Sequence, residues 1–170
     1  QEIDRKFGIF QEGDAVLDLG GAPGSWLLYI SRQVGPNGRV VGVDLEDLKI
    51  EMPANSVFFK KSVLDDDLIN FLGKEKFQVV VSDLAPGTSG IHEKDVADCL
   101  ELTQRAFEIA CQVLKTRLRP DGLGRGEGGS FVTKLFEGPG VDDFVKEAGK
   151  SFKIVKRYRP QAIRKGSREL

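Results

Sequence analysis

The chain has 170 residues, a mass of 18.7 kDa, and 25 Lys and Arg against 26 Asp and Glu, for a formal net charge of −1. That length fits one domain able to bury a core without disulfides or structural metals. A content of 40% hydrophobic and 30% charged residues excludes a disordered chain, and no long apolar run exists to span a membrane.

Apolar runs alternate with amphipathic stretches. Residues 15–19 (AVLDL) form a short apolar run stopped by Gly20 and Gly21, the pattern of a buried strand. Residues 25–34 read as a helix that ends at a Gly-Pro-Asn-Gly turn. Strands are predicted at 39–44 (RVVGVD) and 56–60 (SVFFK), a short helix at 64–72, and a further strand at 77–82 (FQVVVS). The clearest helix covers 95–115, where Val96, Leu100, Phe107, Cys111 and Leu114 recur at spacings of three, four and seven. Residues 118–129, rich in Gly and Arg, read as a loop. Then come a strand at 130–135 (SFVTKL), a helix at 141–149, a sixth strand at 152–158 (FKIVKRY) and the start of a seventh at 167–170. Strand and helix in alternation imply a doubly wound, mostly parallel α/β sheet in a single domain.

In such sheets ligands bind at the carboxyl ends of strands. Residues Gly20, Ala22 and Gly24 form a G-x-A-x-G turn into a helix, where small residues permit close backbone approach and the helix start offers free N–H groups. The dinucleotide fingerprint G-x-G-x-x-G needs a third Gly at the position that Ser25 occupies, just before Trp26, which disfavours NAD. Asp44 lies 24 residues past Gly20, a spacing suited to ribose hydroxyls, so the pair suggests an adenosine-containing cofactor. Asp83 closes the fourth strand ahead of a Pro-Gly turn, and Lys134 interrupts an apolar strand, where lysine needs a partner. The one histidine, His92, reads as an exposed loop residue, and with it as sole histidine no zinc site can be assembled. Cys99 and Cys111 share one predicted helix about 18 Å apart, too far for a disulfide, and read as small core residues of a cytoplasmic protein.

Charge is unevenly spread. Lys146, Lys150, Lys153, Lys156, Arg157, Arg159, Arg164, Lys165 and Arg168 face only Glu147 as an acid in that stretch, while the preceding residues are acidic on balance. A basic stretch on an acidic body points to an anionic partner.

Taken together, 18–26 (DLGGAPGSW), 41–45 (VGVDL), 81–90 (VSDLAPGTSG), 131–138 (FVTKLFEG) and 164–169 (RKGSRE) resemble the FtsJ family of ribose 2′-O-methyltransferases, the RlmE (RrmJ) type acting on large-subunit ribosomal RNA. The likeness covers nearly the whole chain. It implies the class I methyltransferase fold, Rossmann-like, with a last antiparallel strand cut short at Leu170. It implies S-adenosylmethionine as cofactor, held by Gly20, Ala22, Pro23, Gly24, Trp26, Asp44, Leu45 and Asp83. Of the family's Lys-Asp-Lys-Glu catalytic set, Asp83, Lys134 and Glu169 correspond to the last three. The first lysine is expected just upstream of Gln1, so the domain is expected to be clipped at both ends; Lys6 is not that residue. Where the family has a Gly-Asp reading adenine, this chain has Ser62 and Val63, and Asp65 or Asp66 stands nearby. The resemblance further implies an RNA partner within the large ribosomal subunit, a monomer, and a cytoplasmic location. The residues themselves leave open a small-molecule methyltransferase, a tRNA or mRNA-cap enzyme, and a non-catalytic RNA-binding relative.

Overall fold

The computed structural model describes residues 1–87, 92–115 and 128–160. The elements in chain order are α1 (Glu2–Phe7), β1 (Ala15–Leu19), α2 (Ser25–Val34), β2 (Arg39–Asp44), β3 (Ser56–Lys60), α3 (Leu68–Leu72), β4 (Val79–Ser82), α4 (His92–Val113), β5 (Ser130–Thr133) and α5 (Val141–Ser151). The sheet runs β3-β2-β1-β4-β5 with every pairing parallel. The order reverses between β1 and β4, so the crevice expected of such sheets opens above those two strands.

Strand parity splits the core. Val16, Val40, Val79 and Val81 meet Leu27, Ile30 and Val34 of α2 on one face. Leu17, Leu19, Val41, Val43 and Val80 meet α3 and α4 on the other. Both faces of β1, β2 and β4 are therefore covered, which is why these strands read as continuous apolar runs rather than alternating ones. Gly42 brings α2 close: a Cβ there would sit 2.7 Å from Leu27 Cδ1. Around β5, Leu135, Val141 and Phe144 form a smaller cluster with Phe107 and Phe131.

Several expectations are corrected. Residues 152–158 form no strand. Ile154 and Val155 are exposed, and the segment is anchored by its end rings, Phe152 against Phe107 and Phe131 and Tyr158 against Phe7. An Ile-Val pair flanked by charges on both sides has no apolar face to lay on the sheet edge. Phe77 lies outside β4 because its backbone bridges to Leu114 instead, with Phe77 N–H donating to Val113 and Lys115 N–H to Phe77. The helix expected from residue 64 starts at Leu68, since Asp65 and Asp67 are taken up by ion pairs to Lys61 ahead of it. His92 opens α4 rather than lying in a loop. Cys99 is buried as expected, but Cys111 faces solvent. The six-residue α1 has no buried residue and so left no apolar period to read. Residues 118–127 of the expected loop and the seventh strand lie outside the described residues.

Candidate active site

The turn after β1 is shaped by two glycines with positive φ, Gly20 at 86° and Gly24 at 116°. At Gly20 a Cβ would stand 3.0 Å from the backbone of Asp83 and Leu84, so only glycine lets the turn lie against the end of β4. At Gly24 a Cβ would overlap Ile50, which folds over the turn while Lys49 N–H donates to Pro23. Asp44 at the end of β2 ties the turn from the other side. Its carboxylate accepts from Ala22 N–H at 2.9 Å and from Glu46 N–H at 3.0 Å. Leu45 beside it is 63% exposed, leaving apolar surface next to a carboxylate.

Lys134 stands one residue past β5, not within it, and its N–H donates to Ser82. Its Nζ lies 2.6 Å from Asp83 Oδ1, and both side chains are mostly shielded from solvent. The partner expected for a lysine at this position is therefore Asp83. The two residues stand two places beyond Val81 and Val132, which belong to the α2-side core. Those valines also floor a cavity of about 240 Å³ walled by Trp26, Tyr29, Ile3 and Phe10. Trp26 thus faces the Asp83–Lys134 side of the sheet rather than the Asp44 side. Tyr29 donates to Asp4 at 2.7 Å, which fixes α1 over this cavity; burial and the Asp4 acceptor push the Tyr29 hydroxyl up to about 12.

Asp18 is not among the candidate residues read from the sequence, although it opens the DLGGAPGSW string. It is fully buried in β1, and neither carboxyl oxygen has a hydrogen-bond partner. Burial, then the nearby Asp83 and Asp44, push its carboxyl up to about 8. Three acids thus converge on a glycine turn at a topological switch point. An orphaned buried carboxyl, a cradle that a Cβ would fill, and an acid at ribose-binding spacing fit a ligand bearing both a ribose and a positive charge. No group of metal-ligating side chains occurs among the described residues.

Val63 is buried after β3, so it offers no polar reader for adenine, and Asp65 is held by Lys61. In the basic stretch, Lys146, Lys150 and Arg157 pair with Asp143, Glu147 and Asp142. Lys156 lies 5.0 Å over the Phe7 ring, and Lys6 of α1 lies 4.1 Å over Tyr158, so α1 and the 152–160 segment present one basic, aromatic surface. Glu169, Arg164, Lys165 and Arg168 lie outside the described residues.

A family model described as FtsJ-like methyltransferase matches residues 1–170. A Desulfatibacillum aliphaticivorans protein named ribosomal RNA large subunit methyltransferase E is 38% identical, over all of this chain and 77% of its own length. Its namesake from Syntrophobacter fumaroxidans is 40% identical, over all of this chain and 82% of its own length. Among solved structures, one described as a ribosomal RNA methyltransferase of Plasmodium falciparum superposes with a TM-score of 0.78 at 21% identity, covering 95% of this chain and 87% of that one. One described as an rRNA-methylase of Clostridium thermocellum gives 0.53 at 20% identity, covering 91% and 80%. These structural likenesses show the fold.

Proposed function

The chain belongs to the FtsJ-like methyltransferase family, whose cofactor is S-adenosylmethionine, and from that premise we propose that it methylates a ribose 2′-hydroxyl of RNA, on a uridine of large-subunit ribosomal RNA. The Asp83–Lys134 ion pair beside the glycine turn carries this reading, because it puts a proton-handling cation where a hydroxyl must be oriented. The names of the bacterial relatives support ribosomal RNA as the substrate.

When bound, the cofactor supplies a methyl group on a positively charged sulfur, an electrophile already activated. The protein's own share is binding and alignment. Gly20 and Gly24 admit the ligand to the backbone, and Asp44 takes ribose hydroxyls. Asp83 fixes the Lys134 Nζ. Lys134 donates to the acceptor 2′-oxygen and so orients it; to take the hydroxyl proton, it must first pass one of its own to Asp83 or to solvent. The cavity under the pair leaves room on the α1 side for the acceptor nucleotide. Lys6, Lys153 and Lys156 supply phosphate contacts that position the RNA.

The test is methyl transfer from labelled cofactor to large ribosomal subunits lacking the modification, set against tRNA, capped mRNA and small acceptors. The label should reside in one nucleotide whose 3′ phosphodiester resists alkali, the mark of a blocked 2′-oxygen. Label on a base, or on small acceptors alone, would overturn the proposal.

A further inference from the structure

None of the six residues of α1 is buried, and Gly8 ends the helix at a φ of 61°. A helix this short is not stable by itself in water, so its place is set by what holds it. Two tyrosine hydroxyls from distant parts of the chain do so. Tyr29 of α2 donates to Asp4 Oδ2 at 2.7 Å, while Asp4 Oδ1 accepts from Ile9 N–H at 2.9 Å and Phe10 N–H at 3.1 Å. Tyr158 donates to Glu2, and its ring meets Phe7 edge-on beneath the Lys6 ammonium. The segment carrying Tyr158 is itself moored to α5 by Arg157 and Asp142. Burial and Asp4 push the Tyr29 hydroxyl up to about 12, and Glu2 pushes that of Tyr158 up, so both stay donors at neutral pH. Held there, α1 lends Ile3 and Asp4 to one wall of the cavity whose floor, Val81 and Val132, lies below Asp83 and Lys134. The glycine turn takes its shape from Asp44, the end of β4 and Ile50 instead.

We infer that Tyr29 and Tyr158 are positioning residues: through Asp4 and Glu2 they hold α1 as the acceptor-side wall of the site, and so set affinity for RNA rather than for the cofactor. The inference rests on the RNA reading above. When α1 comes away, the fraction of protein competent for RNA falls, and apparent RNA affinity falls in proportion. A helix that is mostly docked hides the loss of one tether. Loss of both therefore weakens RNA binding by more than the product of the two single losses.

The experiment compares wild type with Tyr29→Phe, Tyr158→Phe and the double variant. Phenylalanine keeps the rings that line the cavity and meet Phe7, and removes only the hydroxyls. Three quantities are read: steady-state methyl transfer to unmodified large ribosomal subunits, S-adenosylmethionine affinity by calorimetry, and amide hydrogen exchange across residues 2–7. Each single variant should raise KM for the subunits a few-fold. The double variant should raise it at least about tenfold, the factor that one hydrogen bond to a charged acceptor is worth. Saturating RNA redocks the wall, so kcat should stay within about twofold of wild type. Cofactor affinity should not move, and exchange should quicken in α1 while β1 and β4 stay protected. A merely structural role would instead lower the folded fraction, and with it kcat, at constant KM. Faster exchange in α1 with KM unmoved overturns the role of the wall. Unchanged exchange in the double variant overturns the tethers, and cofactor affinity falling in step with RNA affinity overturns the separation of the two sides. In each of these cases wild-type transfer to RNA stands, and the RNA reading with it. A wild-type protein that transfers no methyl to RNA overturns that reading and this role together.

Discussion

Replacing Lys134 with alanine separates chemistry from scaffold. The Lys134 and Asp83 side chains are 21% and 30% exposed, and their charged atoms lie 2.6 Å apart. Exposed pairs contribute about 0–1 kcal/mol, whereas breaking a fully buried pair from one side costs about 3–5 kcal/mol. A pair at this depth should fall between, at about 1–2 kcal/mol. For a domain of this size that is roughly 2–8 °C of Tm. The variant therefore stays folded at 25 °C. Its chemical step should fall by about 10²–10⁴-fold, the range for a lost proton-handling group. Cofactor affinity should change little, since Lys134 lies beyond the Gly20–Asp44 side of the crevice. The assay is single-turnover transfer to ribosomal subunits, with cofactor affinity by calorimetry and Tm by scanning fluorimetry on the same preparations. Lys134→Met separates charge from bulk and should lose as much rate with less change in Tm. Turnover within a few-fold of wild type in either variant would remove Lys134 from the mechanism.

Other perturbations follow from the same geometry. Gly20→Ala forces a side chain into a left-handed backbone and against the Asp83 main chain, so it should cost about 1–2 kcal/mol of stability from strain alone and weaken both cofactor binding and turnover; an unchanged urea midpoint would refute the close approach. Asp44→Ala removes the acceptor of two backbone N–H groups, a loss of about 1.5–3 kcal/mol for a charged acceptor, and should weaken cofactor binding at least tenfold while sparing RNA affinity measured by filter binding. Asp18 makes stability fall as pH rises. Below about pH 4 its carboxyl is protonated in both states, and between about 4 and 8 only the folded state keeps the proton. Its share of the slope is therefore about −1.4 kcal/mol per pH unit across that window. Urea unfolding of cofactor-free protein from pH 5 to 8 should show Asp18→Asn flatter than wild type by about that amount, and parallel curves would refute the buried-acid assignment. RNA binding should weaken steeply with salt, and Lys6→Ala with Lys156→Ala should lower the slope by about two.

The sequence made the site legible for one physical reason, and hid part of it for another. Strands covered on both faces read as apolar runs, so the breaks at Gly20, Asp44 and Asp83 stood out as strand ends, and strand ends are where this fold binds ligands. Side-chain parity then does the rest. Asp18 stands two places beyond Val16, Asp83 beyond Val81 and Lys134 beyond Val132, and those valines share the α2 face. The candidate residues were therefore bound to meet on one side. Asp18 escaped notice because a strand aspartate next to a glycine turn looks like part of the turn, and only burial without donors reveals the unmet charge. The failures at α1 and at 152–158 share an origin as well. Both segments are held by a few side chains, Asp4 on Tyr29 and Lys6 on Tyr158, rather than by a periodic apolar face. Periodicity has nothing to report in such segments. The surface they build is polar and joined across 156 residues by the Tyr158 bond to Glu2. A tail read as one basic run is therefore divided by the fold: part is paired within α5 and its neighbours, and part is carried over to α1, beside the cavity that the proposed acceptor must enter.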